Sequence, residues 1–80
     1  MDSYIGLIQL FAFNFIPSGW RLCDGSMVEI KEHAAVFALL GIAHGGDGRT
    51  HFALPMLVGK EPAPGLSYCI CMEGIFPQRP

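Results

Sequence analysis

Residues 44–55, HGGDGRTHFALP, place three glycines around a single aspartate and end in an apolar run closed by a proline. A phosphate-binding loop needs GxxxxGK followed by serine or threonine, between a strand and a helix. This segment contains no lysine. Asp47 also lacks the further carboxylates of a calcium-binding loop. The segment is therefore interpreted as architecture, a turn that shapes the backbone.

The residue types in this turn suggest how it holds its shape. Glycine tolerates the positive φ angles of tight turns, and an aspartate here can accept hydrogen bonds from its own downstream backbone amides. Arg49 carries planar donors that could bind carbonyl groups or Asp24. Of the residues that follow, Phe52 and Leu54 are expected to fill the core, and Pro55 is expected to fix the direction in which the chain leaves the turn.

Two histidines, His44 and His51, flank the turn and are the candidate metal ligands of the chain. They lie seven residues apart, and no cysteine lies at the spacing of a zinc motif. Two surface histidines without a metal are the simpler interpretation. A symmetric oligomer that supplies one histidine per copy is the arrangement that would favour a site. The sequence predicts no cofactor.

Upstream, residues 3–15 carry apolar side chains at both odd and even positions. Strict alternation would leave one face to solvent, so this run predicts a strand covered on both sides, by the core and by another subunit. The PSG at residues 17–19 marks a turn. Short strands are expected at residues 20–23 and 27–29, and the Asp24-Gly25 turn between them makes a hairpin plausible.

The apolar period changes to that of a helix between residues 30 and 41. Its alanines favour helix, and Gly41 fits the position just past the end. The predicted apolar face comprises Ile30, Ala34, Phe37 and Leu40. Residues 54–65 hold three prolines and predict an extended loop, after which residues 66–76 return to a strand pattern. The class is α+β: one domain over residues 1–80, with several short strands, one short helix and long Gly/Pro-rich loops.

The composition points to self-association. Of the 80 residues, 51% are hydrophobic and 15% are charged, which is more apolar material than so small a core hides; an oligomer interface can absorb the excess. The net charge of −2 and the absence of a basic cluster argue against nucleic-acid binding. The apolar run near the N-terminus has no basic flank and is too short for a bilayer, so neither a signal peptide nor a membrane span is predicted.

No catalytic constellation is present in the sequence. The serines lack the GxSxG elbow, and the carboxylates are scattered. Cys23, Cys69 and Cys71 lie in apolar strand contexts, which raise the pKa of a thiol instead of activating it. They are interpreted as buried thiols or, alternatively, as partners in an intermolecular disulfide. The chain is not expected to be an enzyme.

Three runs together resemble the phage tail collar domain family: IGLIQLFAFNFIPSGWRLCDGSMVEI, then HAAVFALLG, then GGDGRTHFALP. The resemblance covers residues 5–60, and the family pattern is close to IGxIxxFAxxFxPxGWxxCDG followed by ALFxLLGxxYGGDGRTTFxLPDLRGR. His44 stands where that pattern has tyrosine, His51 where it has threonine, and LPMLVGK replaces LPDLRGR. The resemblance implies fold-determining roles for matched positions: Gly19, Trp20, Cys23, Asp24, Gly25, Gly45, Gly46, Asp47, Gly48, Arg49, Thr50, Phe52, Leu54 and Pro55.

The resemblance implies a structural subunit of a tail fibre or an extracellular fibre, homo-oligomeric as a trimer or a filament, in a virion or an extracellular appendage. Without a signal peptide, release would follow lysis or a dedicated route. Apolar strands would join the copies, with a hypothetical interface of Ile5, Leu7, Phe11, Phe13, Tyr68, Ile70 and Met72. The alternative is a small module at a fibre tip that binds another fibre component or a cell-surface glycan receptor through loops 44–51 and 59–65.

Overall fold

Five short strands and one short helix make up the regular structure of the described part of the chain. A computed structural model describes residues 3–12 and 15–77. The elements in chain order are β1 (Ile8–Phe11), β2 (Trp20–Leu22), β3 (Met27–Glu29), α1 (Ala34–Leu40), β4 (His51–Ala53) and β5 (Ser67–Cys71). One antiparallel sheet has the order β1-β5-β2, and a second pairs β3 with β4. The coarse prediction of a small compact domain with several strands and one short helix is confirmed.

Strand β5 is the centre of the larger sheet. Ile70 lies opposite Ile8 on one side and Arg21 on the other. Cys69, Ile70 and Cys71 are all buried, although their side chains point to alternate faces. Burial on both faces explains why this segment is apolar at successive positions, as expected of a strand that is covered on both faces.

A glycine bulge starts the pairing of β1. Gly6 has a φ of 88° and donates its N–H to the Cys71 carbonyl at 2.9 Å, while Cys71 donates to the Leu7 carbonyl at 2.9 Å. Leu7 also donates to the Tyr4 carbonyl at 3.2 Å, which closes a turn over Gly6. Two residues therefore oppose one, the pattern of a bulge with glycine in the left-handed region. The strand predicted over residues 3–15 is shortened accordingly.

The hairpin expected around Asp24-Gly25 is wrong, because β2 and β3 belong to different sheets. Cys23 donates its N–H to the Tyr68 carbonyl at 3.0 Å, which keeps it on β5. Two residues later Gly25 donates to the Pro55 carbonyl at 3.2 Å. Between them the Asp24 carboxylate accepts the backbone N–H of Ser26 at 3.1 Å and also its hydroxyl. The dipeptide is therefore a corner between sheets.

The helix is shorter than the predicted range of residues 30–41. Ile30 donates its N–H to the Thr50 carbonyl at 2.9 Å and so continues the β3–β4 pairing. His33 follows with a non-helical φ of −136° at the N-cap. The predicted end is confirmed, since Gly41 has a φ of 59° and donates to the Phe37 carbonyl at 2.7 Å. The N-terminal boundary was wrong because a sheet hydrogen bond holds Ile30.

One cluster of buried side chains joins the helix to both sheets. Phe52, Leu54, Ile70, Val36 and Cys23 have no exposed surface. The rings of Phe37 and Phe52 lie 5.4 Å apart at 52°, which packs α1 against β4. The predicted helix face was wrong in one position: Ala34 is exposed and Val36 is buried. The predicted burial of Phe52 and Leu54 is confirmed.

Candidate functional site

The turn at Asp47 is built around one carboxylate. Its Oδ1 accepts the backbone N–H groups of Arg49, Thr50 and His51 at 2.9, 3.0 and 3.1 Å, and its Oδ2 accepts the Thr50 hydroxyl at 2.9 Å. These hydrogen bonds, led by the one from Arg49, hold the pKa of Asp47 well below its usual range. The expectation that Asp47 binds its own downstream amides is confirmed. The turn is thereby ordered although its surface is open to solvent.

Gly46 ties this turn to β4. It forms an antiparallel bridge with Phe52, and its φ is 105°. A Cβ at this position would lie 2.5 Å from Phe52 Cα and 2.7 Å from the His51 carbonyl oxygen. Beside it, Ala53 donates its N–H to the Gly45 carbonyl at 3.0 Å. The glycine pair therefore brings two backbone segments closer than a side chain permits.

Arg49 does not make the predicted contact with Asp24. Asp24 is hydrogen-bonded to Ser26, whose hydroxyl is the main cause of its lowered pKa, and the charge of Arg21 makes a smaller contribution in the same direction. Within residues 3–12 and 15–77, the one ion pair joins Lys31 Nζ to Glu29 Oε2 at 3.6 Å. Within those residues the Arg49 guanidinium is therefore not part of an ion pair.

A shallow groove of about 390 Å³ lies between the end of β3 and the Asp47 turn. We call it the β3–β4 groove. Its position follows from the pairing of Glu29 with His51 and from the hydrogen bond between Ile30 and Thr50. Its lining residues are Glu29, Ile30, Lys31, Arg49, Thr50 and His51. The sequence pointed to loop 44–51 but gave no sign that Lys31 shares this groove.

The two candidate metal ligands are not brought together with other ligands. His51 Nδ1 lies 2.9 Å from Thr50 Oγ1 and so belongs to the hydrogen-bond network of the turn. His44 is exposed. Across the part of the chain that the structure describes, no three His, Cys, Asp or Glu side chains cluster in a way that could hold a metal ion. His44 and His51 are placed in the turn region without a chelating arrangement.

The three cysteines are buried free thiols. Burial, with smaller contributions from Cys69 and Asp24, raises the pKa of Cys23 to about 11. Burial also raises the pKa of Cys69. Cys71 Sγ donates to the Glu73 carbonyl at 3.1 Å. The predicted direction is confirmed for Cys23 and Cys69, which are protonated and weakly nucleophilic near neutral pH.

The remaining motif residues lie around the corner between the sheets. Trp20 packs edge-on against Phe11, with ring centroids 5.0 Å apart at 85°. Pro55 is buried and accepts a hydrogen bond from Gly25. Met56 packs against Gly25, since a Cβ placed on Gly25 would lie 3.4 Å from the Met56 Sδ. The family pattern LPDLRGR has an aspartate and an arginine where this chain has Met56 and Val58. Both of these apolar side chains are exposed.

The hypothetical assembly interface divides into three groups. Ile5, Ile70 and Met72 are buried inside the chain, so a second copy cannot reach them in the folded state, and this part of the hypothesis is corrected. Phe11 and Tyr68 are half-buried, and Leu7 is 44% exposed. Phe13 lies outside the described residues. The burial arises because β5 is central and packs on both faces.

An exposed apolar surface follows β1, and of the residues predicted for the assembly interface it contains Leu7. We call it the β1 edge surface. Tyr4 and Ile75 are bridge partners, and Leu7 lies in the adjoining bulge. Leu39 lies close to the same bulge, since a Cβ placed on Gly6 would be 3.2 Å from a Leu39 Cδ atom. The exposed members are Tyr4, Leu7, Ile8, Leu39 and Ile75. Apolar residues on both parities of residues 3–15 were the available signal.

The opposite edge of the same sheet borders a second groove. Its volume is about 430 Å³, and it is lined by residues 16–22 with Asp24 and Ser26. Strand β2 lies at this edge, as β1 lies at the other. Because Met72 donates to the Gly19 carbonyl and Cys23 to the Tyr68 carbonyl, alternation turns the backbone groups of Trp20 and Leu22 away from β5. The Trp20 N–H donates to the Pro17 carbonyl and the Leu22 carbonyl accepts the Asp24 N–H, so the Trp20 carbonyl and the Leu22 N–H are the groups left for another strand.

Comparison with known proteins gives one match. The family model described as Phage Tail Collar Domain matches residues 6–62. The comparison with curated proteins and the comparison with solved structures each found no match. Within the described residues, no helix is both long and apolar enough to cross a bilayer.

Proposed function

Since the chain belongs to the phage tail collar domain family, we propose that it is a non-enzymatic fibre subunit whose copies join through the edges of the β1-β5-β2 sheet. Membership indicates a structural role in a phage tail fibre, as a virion component that associates with other tail or fibre proteins. Residues 1–80 would form one domain of this type, with the matched motif positions setting the fold.

The observation that carries the proposal is the β1 edge and its apolar surroundings. Alternation from the Cys71–Leu7 hydrogen bond turns the backbone groups of Ile8 and Leu10 away from β5. Exposed strand edges are templates for pairing with another chain. The β1 edge surface flanks these groups with four aliphatic side chains and one tyrosine, and none of its members is charged. Burial of such a surface favours association because apolar area leaves water.

The other edge supplies a complementary partner. Strands β1 and β2 are both antiparallel to β5, so they run in the same direction at opposite edges of one sheet. A contact between the β2 edge of one copy and the β1 edge of the next uses two different surfaces. Such a contact closes into a ring, as in a trimer, or continues as a filament, depending on the rotation between copies.

Electron microscopy in negative stain, with light scattering after gel filtration, tests the proposal. Ile8→Lys places a charge at the β1 edge and is expected to reduce a wild-type oligomer to monomer. Ile42→Lys is the matched control, because Ile42 is also an exposed isoleucine, at 55% against 37% for Ile8, but lies in the turn after α1. A monomeric wild-type protein, or equal losses in both variants, would contradict the edge proposal.

The β3–β4 groove favours a second candidate function, a binding module at a fibre tip. It joins loop 44–51 to the end of β3 and carries exposed charged side chains. Loops on a rigid scaffold commonly carry recognition. Binding of a cell-surface glycan or a fibre component to this groove, measured with assembled protein, is the corresponding test.

A further inference from the structure

We propose that the β3–β4 groove binds an acidic saccharide through its carboxylate or phosphate group, with Arg49 and Lys31 as the anion-binding residues. The proposal rests on the binding function just described and gives it a ligand class. It is independent of the strand-edge assembly, because the groove lies in the β3–β4 pair and not in the β1-β5-β2 sheet.

The charge of the groove differs from that of the chain. Lys31 and Arg49 contribute two positive charges and Glu29 one negative charge, so the lining is net positive with neutral histidine, whereas the whole chain has a net charge of −2. The Asp47 carboxylate lies close by and stays ionised, so its charge offsets one of the two cations, although its oxygens already accept three backbone amides and the Thr50 hydroxyl. The two cationic side chains themselves, and not an overall positive field, are what the groove offers to an anion.

The backbone that carries Arg49 is fixed before any ligand arrives. Its N–H donates to Asp47 Oδ1 at 2.9 Å, and the next two residues donate to the same oxygen. A positioned backbone reduces the entropy lost on binding. Because guanidinium presents two parallel donors that match a carboxylate or phosphate, Arg49 is suited to bidentate recognition.

Lys31 is held on the opposite side by an exchangeable partner. Its ammonium lies 3.6 Å from Glu29 Oε2, with the lysine side chain 82% exposed. An exposed pair of this kind contributes little to stability, so an incoming anion can replace Glu29 as the partner. Because Glu29 repels anions and competes for Lys31, an anion is expected to displace it only when the anion also binds Arg49.

The other lining groups suit a sugar. If His51 Nδ1–H donates to Thr50 Oγ1, whose proton points to Asp47, the neutral ring leaves Nε2 as an acceptor for a sugar hydroxyl. Ile30 offers apolar contact for the C–H face of a pyranose ring. Among the described residues that line the groove there is no Phe, Tyr or Trp, so charge and hydrogen bonding, in place of aromatic stacking, would decide the ligand.

Isothermal titration calorimetry on the full chain in its native oligomeric state tests this assignment. The probes are an oligogalacturonate, a neutral oligosaccharide of equal length, glucose 6-phosphate and inorganic phosphate. We expect the acidic sugars to bind and the neutral sugar to show no heat of binding. A response to oligogalacturonate alone identifies the carboxylate as the recognised group, and a response to glucose 6-phosphate alone identifies the phosphate.

Three variants locate the site. Arg49→Gln is expected to weaken binding about tenfold, or about 1.4 kcal/mol. Glu29→Gln is expected to strengthen it, because it removes the competing carboxylate, and damage to the fold would not have this effect. Arg21→Gln, an exposed cation beside the other groove, serves as the control and should leave the affinity unchanged.

Several results would overturn the proposal. Equal binding of acidic and neutral sugars would remove the role of charge, and equal loss in Arg49→Gln and Arg21→Gln would indicate general electrostatic attraction. Inorganic phosphate binding as tightly as the sugars would mean an ion site without sugar recognition. Acidic sugar binding that survives Arg49→Gln unchanged would keep the binding function but place it outside this groove. Absence of binding to every probe would reject the groove as a saccharide site and would leave a fibre component as the only ligand of the binding function.

Discussion

Gly46 and Phe52 form an antiparallel bridge in which a Cβ on Gly46 would come within 2.5 Å of Phe52 Cα. The obstacle is backbone, which cannot rotate away as a side chain can. Gly59, with a φ of 92°, has no atom within 4 Å of the corresponding position. The two glycines therefore share a positive φ but differ in the space around them.

Alanine at these two positions separates backbone strain from steric overlap. Gly59→Ala is expected to cost about 1–2 kcal/mol of unfolding free energy, from strain alone. Gly46→Ala should cost about 4 kcal/mol or more, because β4 must also move away from the turn. Urea unfolding followed by tryptophan fluorescence measures both, and similar losses would show that the bridge yields easily.

The Asp47 turn predicts a dependence of stability on acid. The folded pKa of Asp47 is depressed below its unfolded value of about 3.9. The contribution of Asp47 to the free energy of unfolding is therefore complete at pH values above the unfolded pKa, and it is lost as the pH falls toward the folded pKa. Asp47→Asn should lower stability at pH 7 and should show a smaller further loss than wild type on acidification. Equal acid sensitivity in both proteins, by urea unfolding from pH 7 to pH 3, would refute this assignment.

The buried Cys23 thiol leads us to expect the opposite dependence at alkaline pH, where stability should fall as the pH rises. Its folded pKa of about 11 lies above the unfolded value of about 8.5. Stability should fall as the pH rises from about 8.5 toward 11, because the unfolded state releases the proton first. The slope should be smaller in Cys23→Ala. In the native protein at pH 8, Ellman's reagent should label the thiols slowly, and rapidly after unfolding in urea; rapid native labelling would contradict their burial.

Leu54 provides a test of the core beside the turn. It has no exposed surface, so Leu54→Ala is expected to cost about 2–5 kcal/mol through lost burial and the cavity left behind. Val58→Ala, at a half-exposed position four residues later, should stay within about 0.5 kcal/mol of wild type. Thermal unfolding measured by circular dichroism distinguishes them. A small loss for Leu54→Ala would mean that the pocket collapses around alanine.

Local chemistry made the turn predictable from the sequence. An aspartate followed by polar residues and flanked by glycines restricts the backbone to a few conformations, and Phe52 and Leu54 follow as the first apolar residues beyond it. Those interactions span at most a few residues. The same holds for the end of α1, where Gly41 follows the last apolar residue.

Pairing between distant segments was not predictable in the same way. Asp24-Gly25 suits a hairpin and a corner equally well, and the choice depends on Tyr68 and Pro55, far along the chain. The start of α1 was misplaced for a similar reason, since Ile30 donates to Thr50. The β3–β4 groove combines Lys31 with Arg49, which no local pattern connects.

The hypothetical interface shows the same limit. Alternation places Ile70 and Met72 on one face of a strand, but only the sheet order reveals that β5 has a neighbour on each side. Deletion of residues 1–8 would be a poor test of assembly, because it removes Ile5 from the core. Ile8→Lys changes the exposed edge and leaves that core residue in place.

The central position of β5 has a consequence for how the chain folds. Strand β5 is the last of the described strands in sequence, yet β1 and β2 have no partner in the larger sheet except β5. During synthesis the first two strands must wait, unpaired, until residues 67–71 leave the ribosome. Such long-range closure is slow, and unpaired strands are prone to misassociation. Newly made copies would thus meet while their edges are most open, and under the assembly proposed above, folding and association would compete for the same strands.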